Sequence, residues 1–255
     1  MDLGLSGKKA IVCASSKGLG RGCAVALAEA GCSIVINGRN EQTLERTAKQ
    51  IHHATGVRVD LVAADVSTHS GQEALLAACP DPDILVNNNG GPPHREFREL
   101  DREAILAGVT QNMVTPIELI QQVIDGMCER RFGRIVNITS SSVYKPISGL
   151  DLSSGARAGL TSFLAGVARS VADKNVTINA VLPGKMDTDE VVAFSLVPVR
   201  DSPDRADRRH FRKNAFLIIF PAWNDDFELH PVNQAHAGKM VNHLNMGLMV
   251  ELGRL

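Results

Sequence analysis

Apolar positions along this chain fall into short runs separated by stretches with helical spacing. KKAIVC (Lys8–Cys13) is a compact apolar run that ends in small residues. GRGCAVALAEAG (Gly20–Gly31) follows, Ala-rich, helically spaced and stopped at a glycine, as a helix C-terminus often is. SIVING (Ser33–Gly38) reads as a buried strand, and Glu41–His53 as an amphipathic helix with Leu44, Ala48 and Ile51 on one side. Val57–Val66 alternates as a third strand. The order continues with a short helix around Gln72–Ala78, a strand at Asp83–Asn88 and a long helical stretch through Ile105–Glu129. A strand at Arg134–Ser140, a helix over Ser153–Ala172 and a strand at Val176–Leu182 complete the series. Strand and helix in repeated succession predict a parallel sheet with helices on both faces. Right-handed crossovers then put a ligand cleft at the carboxyl ends of the strands.

No internal repeat or low-complexity linker marks a second domain, so residues 1–255 are read as one domain. The pattern changes beyond Asp189, where five of the 8 Phe, the sole Trp and four of the 8 His fall. The charged run Arg200–Lys213 there reads as a solvated loop or helix face, or as a lid over the cleft. The segment from about residue 189 is therefore atypical.

Composition narrows the function. With 27 Lys+Arg against 28 Asp+Glu the formal charge is −1, which offers no basic field for nucleic acid. No apolar stretch is long enough for a membrane span, and MDLGLSGKKA lacks the apolar core of a signal peptide, so cytoplasmic residence is expected. Five cysteines without metal-type or disulfide-type spacing read as reduced thiols, and no metal site is expected. Only one tyrosine, Tyr144, is available for chemistry that needs a phenol.

The loop Cys13-Ala14-Ser15-Ser16-Lys17-Gly18-Leu19-Gly20 joins the first strand to the first helix. Small residues there let the backbone approach a pyrophosphate, and the helix start supplies N–H donors and a favourable dipole. A site for NAD usually carries an acid after the second strand. Here that strand ends Asn37-Gly38-Arg39, and Lys17 adds a second cation. Two cations and no acid suit a 2′-phosphate, so NADP(H) is favoured over NAD(H).

These residues, with three further signatures in order, resemble the short-chain dehydrogenase/reductase family, in particular its 3-oxoacyl-acyl-carrier-protein reductase-like branch. Cys13 and Ala14 stand where that family usually has Thr and Gly. Asn87-Asn88-Asn89-Gly90 is close to its Asn-Asn-Ala-Gly, Asn137-Ile138-Thr139-Ser140 ends the fifth strand, and Asn179-Ala180-Val181-Leu182-Pro183-Gly184 is followed by Met186 and Thr188. The resemblance covers about residues 5–190. It implies a single Rossmann-like doubly wound sheet in three α/β/α layers, and hydride transfer between a nicotinamide and a small carbonyl or alcohol substrate. It places Ala14 to Gly20, Arg39, Asp65-Val66, Asn88 to Gly90, Arg157, Pro183, Gly184, Met186 and Thr188 at the cofactor. It also implies a homodimer or homotetramer through the helices at Ile105–Glu129 and Ser153–Ala172. The family's closing strand has its nearest counterpart in Gly247–Gly253.

The family's catalytic tetrad is Asn, Ser, Tyr and Lys. Asn112 and Ser140 match the first two, but Ser153 and Arg157 stand at the tyrosine and lysine positions, with the helix pattern still in register. A serine hydroxyl is a far weaker acid than a phenol, and an arginine keeps its charge without releasing a proton. Arg157 is still able to bond the nicotinamide ribose. Tyr144, beside Lys145, is a substitute acid or a wall of the substrate site. His94, in the loop after the fourth strand, has the right pKa range for acid–base work or is an exposed loop residue. Two functions remain open: an NADP-linked oxidoreductase with a modified proton donor, and a catalytically silent NADP-binding protein with a regulatory or scaffolding role.

Overall fold

The computed structural model describes residues 3–184. Met186, Thr188, the segment beyond Asp189 and the Gly247–Gly253 run lie outside the described residues. Six parallel strands form one sheet: β1 (Lys9–Val12), β2 (Ser33–Gly38), β3 (Val59–Ala63), β4 (Ile84–Asn87), β5 (Gly133–Ile138) and β6 (Val176–Val181), in the order β3-β2-β1-β4-β5-β6. The chain winds outward from β1 in one direction through β2 and β3, then returns to pair β4 on the other side of β1. That reversal opens a crevice at the carboxyl ends of β1 and β4.

The helices are α1 (Gly18–Glu29), α2 (Glu41–Thr55), α3 (His69–Ala78), α4 (Arg102–Val109), α5 (Thr115–Glu129) and α6 (Asp151–Val171). They bury both faces of the sheet, which is why the strands are nearly continuous apolar runs. Ala10, Val12, Ile34, Ile36, Ile84 and Val86 pack on the side of α1 and α2. Ile11, Val35, Leu85 and Ile135 pack on the opposite side, against Leu75, Leu119, Val123 and Leu160. The period-2 alternation within each strand thus divides one apolar run between two cores. No helix among the described residues is long and apolar enough to cross a membrane.

The long helical stretch expected over Ile105–Glu129 is instead two helices joined by a wider π-helical turn, Thr110–Val114. Pro116 supplies the reason. It has no N–H to give the carbonyl of Asn112 four residues back, so an ordinary α-turn loses that bond. The Thr115 N–H instead reaches the carbonyl of Thr110, five residues earlier. Wide turns of this kind concentrate at functional sites, and this one carries Asn112.

Candidate functional site

The loop after β1 is built by polar residues hidden in an apolar pattern. Ala14 has φ +44°, a left-handed conformation that costs a non-glycine residue about 1–2 kcal/mol. Asn37, fully buried in β2, accepts the Ala14 N–H at 3.3 Å through Oδ1. Its Nδ2 donates to the carbonyls of Val62 and Ala64 on the next strand and its loop. Asn88, just past β4, donates to the Ala14 carbonyl at 3.2 Å. Ser15 donates to the Val12 carbonyl at 2.6 Å, and Thr47 of α2 holds the Ser16 carbonyl at 2.9 Å. Ala14→Gly, which relieves the strained φ, is expected to raise stability by about 1 kcal/mol, read as a higher urea midpoint.

Gly20 lets α1 start against this loop. A Cβ there would overlap the Ala14 carbonyl oxygen and stand 2.9 Å from Ser15 Cα and 2.8 Å from Asn88 Nδ2. Lys17 stands at the N-cap of α1 without giving it a side-chain cap, and the first turn carries no acidic residue. Its first N–H groups and dipole therefore face the crevice, an arrangement that suits a phosphate. This fits the pyrophosphate of a dinucleotide. Lys17 and Arg39 are exposed at the same edge. The Ser67 hydroxyl, donating to Asp65 Oδ1 at 2.6 Å, holds the Asp65 carboxyl below its usual range, and the Arg39 charge adds a smaller effect in the same direction. Val66 is buried, and Asn89 reaches Ser67 Oγ at 3.5 Å and the Gln111 carbonyl at 3.3 Å. Gly90 is exposed. Pro183, at the end of the segment after β6, holds the Ser141 N–H at 2.9 Å, which ties this segment, with Gly184 next to it, to the loop of Ser140.

The far end of the crevice holds the substituted positions. Arg157 on α6 is 8% exposed. It donates from Nη1 to the carbonyls of Ile138 and Thr139, at 2.9 and 3.0 Å, and so is pinned to the end of β5. Its Nε donates to Ser153 Oγ at 3.2 Å, one helical turn back. Burial pulls its guanidinium down to about 10. Ser140, at the same strand end, accepts the Ser142 N–H at 3.2 Å. Neither the Ser140 nor the Ser153 hydroxyl donates to an acceptor among the described residues, so both hydrogens are available to a ligand.

Behind this end lies a cavity of about 20 Å³, lined by Asn87, Asn112, Thr115, Asn137 and Arg157 among others. Asn87 Oδ1 and Thr115 Oγ1 are buried without a hydrogen-bond partner and line this cavity. It has the size and polarity for one ordered water. Asn112 itself donates to the Gly108 carbonyl at 3.2 Å.

The other two acid–base candidates are placed less favourably. Tyr144 is 47% exposed, and partial burial pushes its phenol above its usual range, the opposite of activation. The His94 ring bonds the Ser148 carbonyl at 2.9 Å and packs on Gly149, which stitches the loop after β4 to the loop before α6. Four of the five thiols, Cys13, Cys23, Cys32 and Cys79, are buried rather than poised, and burial pushes Cys13 and Cys23 up to about 12.

Two residues of this site escape a reading of the sequence. Asn37 was visible only as a polar letter inside an apolar strand. Gly91 was the second member of a glycine pair in a loop, yet it is the residue facing Arg157 and Ser153.

A family model described as short chain dehydrogenase matches residues 8–195, which spans the sheet, the crevice and α6. The chain belongs to the short-chain dehydrogenase family. Among its relatives, the 3-oxoacyl-[acyl-carrier-protein] reductase FabG of Aquifex aeolicus is 32% identical over 203 residues, 76% of this chain and 80% of that protein. The human inactive hydroxysteroid dehydrogenase-like protein 1 is 33% identical over 184 residues, 69% of this chain and 55% of that protein. Among solved structures, L-sorbose reductase from Gluconobacter frateurii, complexed with NADPH and L-sorbose, superposes with a TM-score of 0.73 at 29% identity over 76% of each chain. Membership in the short-chain dehydrogenase family accounts for the doubly wound sheet and makes a nicotinamide cofactor the expected occupant of the β1–α1 crevice.

Proposed function

We propose that the chain is an NADP(H)-dependent oxidoreductase acting on a small carbonyl or alcohol, with Ser153 and Arg157 in place of a tyrosine and lysine pair. The bond from Arg157 Nε to Ser153 Oγ carries this reading. Because the serine oxygen accepts from the guanidinium, its own hydrogen is left to donate into the crevice. A cation behind the oxygen makes that hydroxyl a better donor. When bound, the nicotinamide supplies or accepts the hydride. Ser153 and Ser140 then hold the substrate oxygen, and the Arg157 charge favours the alkoxide-like character that develops there. Arg157 releases no proton at neutral pH, so the proton reaches the substrate oxygen from solvent by way of the Ser153 hydroxyl. Asn112 supports the polar cavity behind them.

The uncapped start of α1, Ala14 to Gly20, and the cations Lys17 and Arg39 support NADP(H) as the cofactor. Arg39→Ala is expected to weaken NADPH binding about tenfold while leaving NADH nearly unchanged, read by fluorescence titration of each. Equal losses for both cofactors would remove Arg39 from the 2′-phosphate. The decisive experiment is NADPH oxidation over a panel of carbonyls. Slow, substrate-dependent turnover supports the oxidoreductase reading.

The silent alternative is favoured by the same two substitutions and by the human relative whose printed name calls it inactive. Tight NADPH binding with no turnover on any carbonyl would establish it. A homodimer or homotetramer remains the expected assembly. Ile105, Leu106, Val114 and Phe163 leave large apolar surface exposed on α4, the wide turn and α6. The small residues of α6 serve in part inside the chain: Ala156 is buried, and Gly159 faces Met113, whose sulfur would stand 3.0 Å from a Cβ.

A further inference from the structure

The residues just before α6 are held by the loop after β4 rather than by a cap of the helix itself. Leu150 occupies the N-cap position of α6 and gives it no side-chain cap. A helix start without a cap leaves its first N–H groups unsatisfied and its first turn loosely held, and Ser153 stands in that turn. The loop after β4 makes good the loss. His94 Nε2 bonds the Ser148 carbonyl at 2.9 Å, and since a carbonyl only accepts, that nitrogen carries the hydrogen. The Arg95 N–H donates to the Gly149 carbonyl, also at 2.9 Å. The imidazole lies directly on Gly149: a Cβ there would overlap ring atoms Cε1 and Nε2 and stand 2.7 Å from Nδ1. Gly149 also has φ +77°, so its backbone and its contact with His94 both call for glycine. From this point bonds lead into the helix. The Gly149 N–H donates to the Asp151 carboxylate at 3.1 Å, and the N–H and hydroxyl of Ser154 both donate to the Leu150 carbonyl at 2.9 Å.

We propose that His94 is a positioning residue: its bond to the Ser148 carbonyl and its ring on Gly149 fix the first turn of α6, and with it the place of Ser153. The role is to hold rather than to transfer a proton, because Nε2 spends its hydrogen on the Ser148 carbonyl. The loop that carries His94 begins with Asn88 to Gly90, so the clamp ties Ser153 to the loop on which the cofactor is expected. The consequence for catalysis rests on the oxidoreductase reading above; the fixing of the helix start does not.

Hydrogen–deuterium exchange over residues 150–158 tests the fixing of the helix start without turnover, on wild type, His94→Ala, His94→Gln and His94→Phe, with and without NADPH. His94→Ala should speed exchange there severalfold, up to about tenfold, while the β1–α1 segment and NADPH affinity stay unchanged. Gln keeps a donor without the ring and Phe keeps a ring without the donor, so each should restore part of the protection. Unchanged exchange in His94→Ala, or a rise spread evenly over the whole chain, would overturn the proposal. Steady-state NADPH oxidation with a panel of carbonyls tests the action through Ser153. His94→Ala should lower kcat severalfold with little change in KM, and should cost nothing further when Ser153 is already alanine. An equal loss in both backgrounds would overturn the positioning role, since His94 would then act by another route. If wild type oxidises NADPH with none of the carbonyls, the oxidoreductase reading fails, and the exchange rates still decide whether His94 fixes the start of α6.

Discussion

Replacing Ser153 with tyrosine and Arg157 with lysine together is expected to raise turnover on neutral ketones by roughly 10²–10⁴-fold, the usual contribution of a positioned general acid. The physical difference lies in the acid. A phenol titrates near 10 and is lowered further by an adjacent ammonium, whereas a serine hydroxyl remains protonated at any working pH. Ser153→Tyr alone should recover part of the gain, because the guanidinium keeps its charge at the same place. Arg157→Lys alone should not, because it leaves no phenol. The double variant also gives up the carbonyl bonds that Arg157 makes to Ile138 and Thr139, so some loss of stability accompanies the gain in rate. Steady-state kinetics with NADPH and a neutral ketone checks this. Absence of any gain, with NADPH still bound, would mean that the crevice no longer presents a substrate to this position.

Gly20→Ala should have the second largest effect. The added methyl meets the Ala14 carbonyl and the Ser15 backbone, and among its nearest neighbours only the Asn88 side chain is able to move aside. Forcing a methyl into such a contact costs about 1–3 kcal/mol. Relief requires α1 to withdraw from the loop, which moves the helix N–H groups away from the phosphates. A fall in the urea midpoint and about a tenfold or greater loss of NADPH affinity are expected together. An unchanged affinity would show that the helix start is not the phosphate seat. Gly31→Ala is an informative contrast. It also strains the backbone, at φ +86°, but it lies at the opposite end of α1. It should lower stability and leave NADPH affinity intact.

The sheet was legible because strand and helix periods are written in different residue spacings, and five strands buried along most of their length, with β3 the more exposed edge, leave little ambiguity between them. Element limits were less so: α6 begins at Asp151 and β3 at Val59, a few residues from the positions the pattern predicts. The wide turn at Asn112 was not read, because its cause is one missing N–H at Pro116 inside a pattern that otherwise continues as a helix. The cofactor loop was legible from small residues at a strand–helix junction. What holds it was not, because Asn37 and Asn88 act on Ala14 across the sheet, and separations of 23 and 74 residues carry no local signal. Spacing placed Ser153 and Arg157 on one helix turn. That the guanidinium would spend three donors on the protein and leave Nη2 facing Gly91 depends on packing between α6, the end of β5 and the loop after β4. Tyr144 drew notice as the lone phenol in the sequence. The fold leaves it half exposed on a short turn, where its acidity is weakened rather than strengthened.

The role proposed for the Ser153 hydroxyl, backed by Arg157, is to serve the substrate oxygen on the NADPH-loaded protein. Single-turnover NADPH oxidation, followed by absorbance on wild type and Ser153→Ala across a panel of carbonyls, is the test of that role. Slow oxidation by at least one carbonyl is expected, reduced about tenfold or more in Ser153→Ala with NADPH affinity unchanged. NADPH bound tightly by wild type and oxidised by none of them, or oxidised equally fast without the hydroxyl, would contradict it.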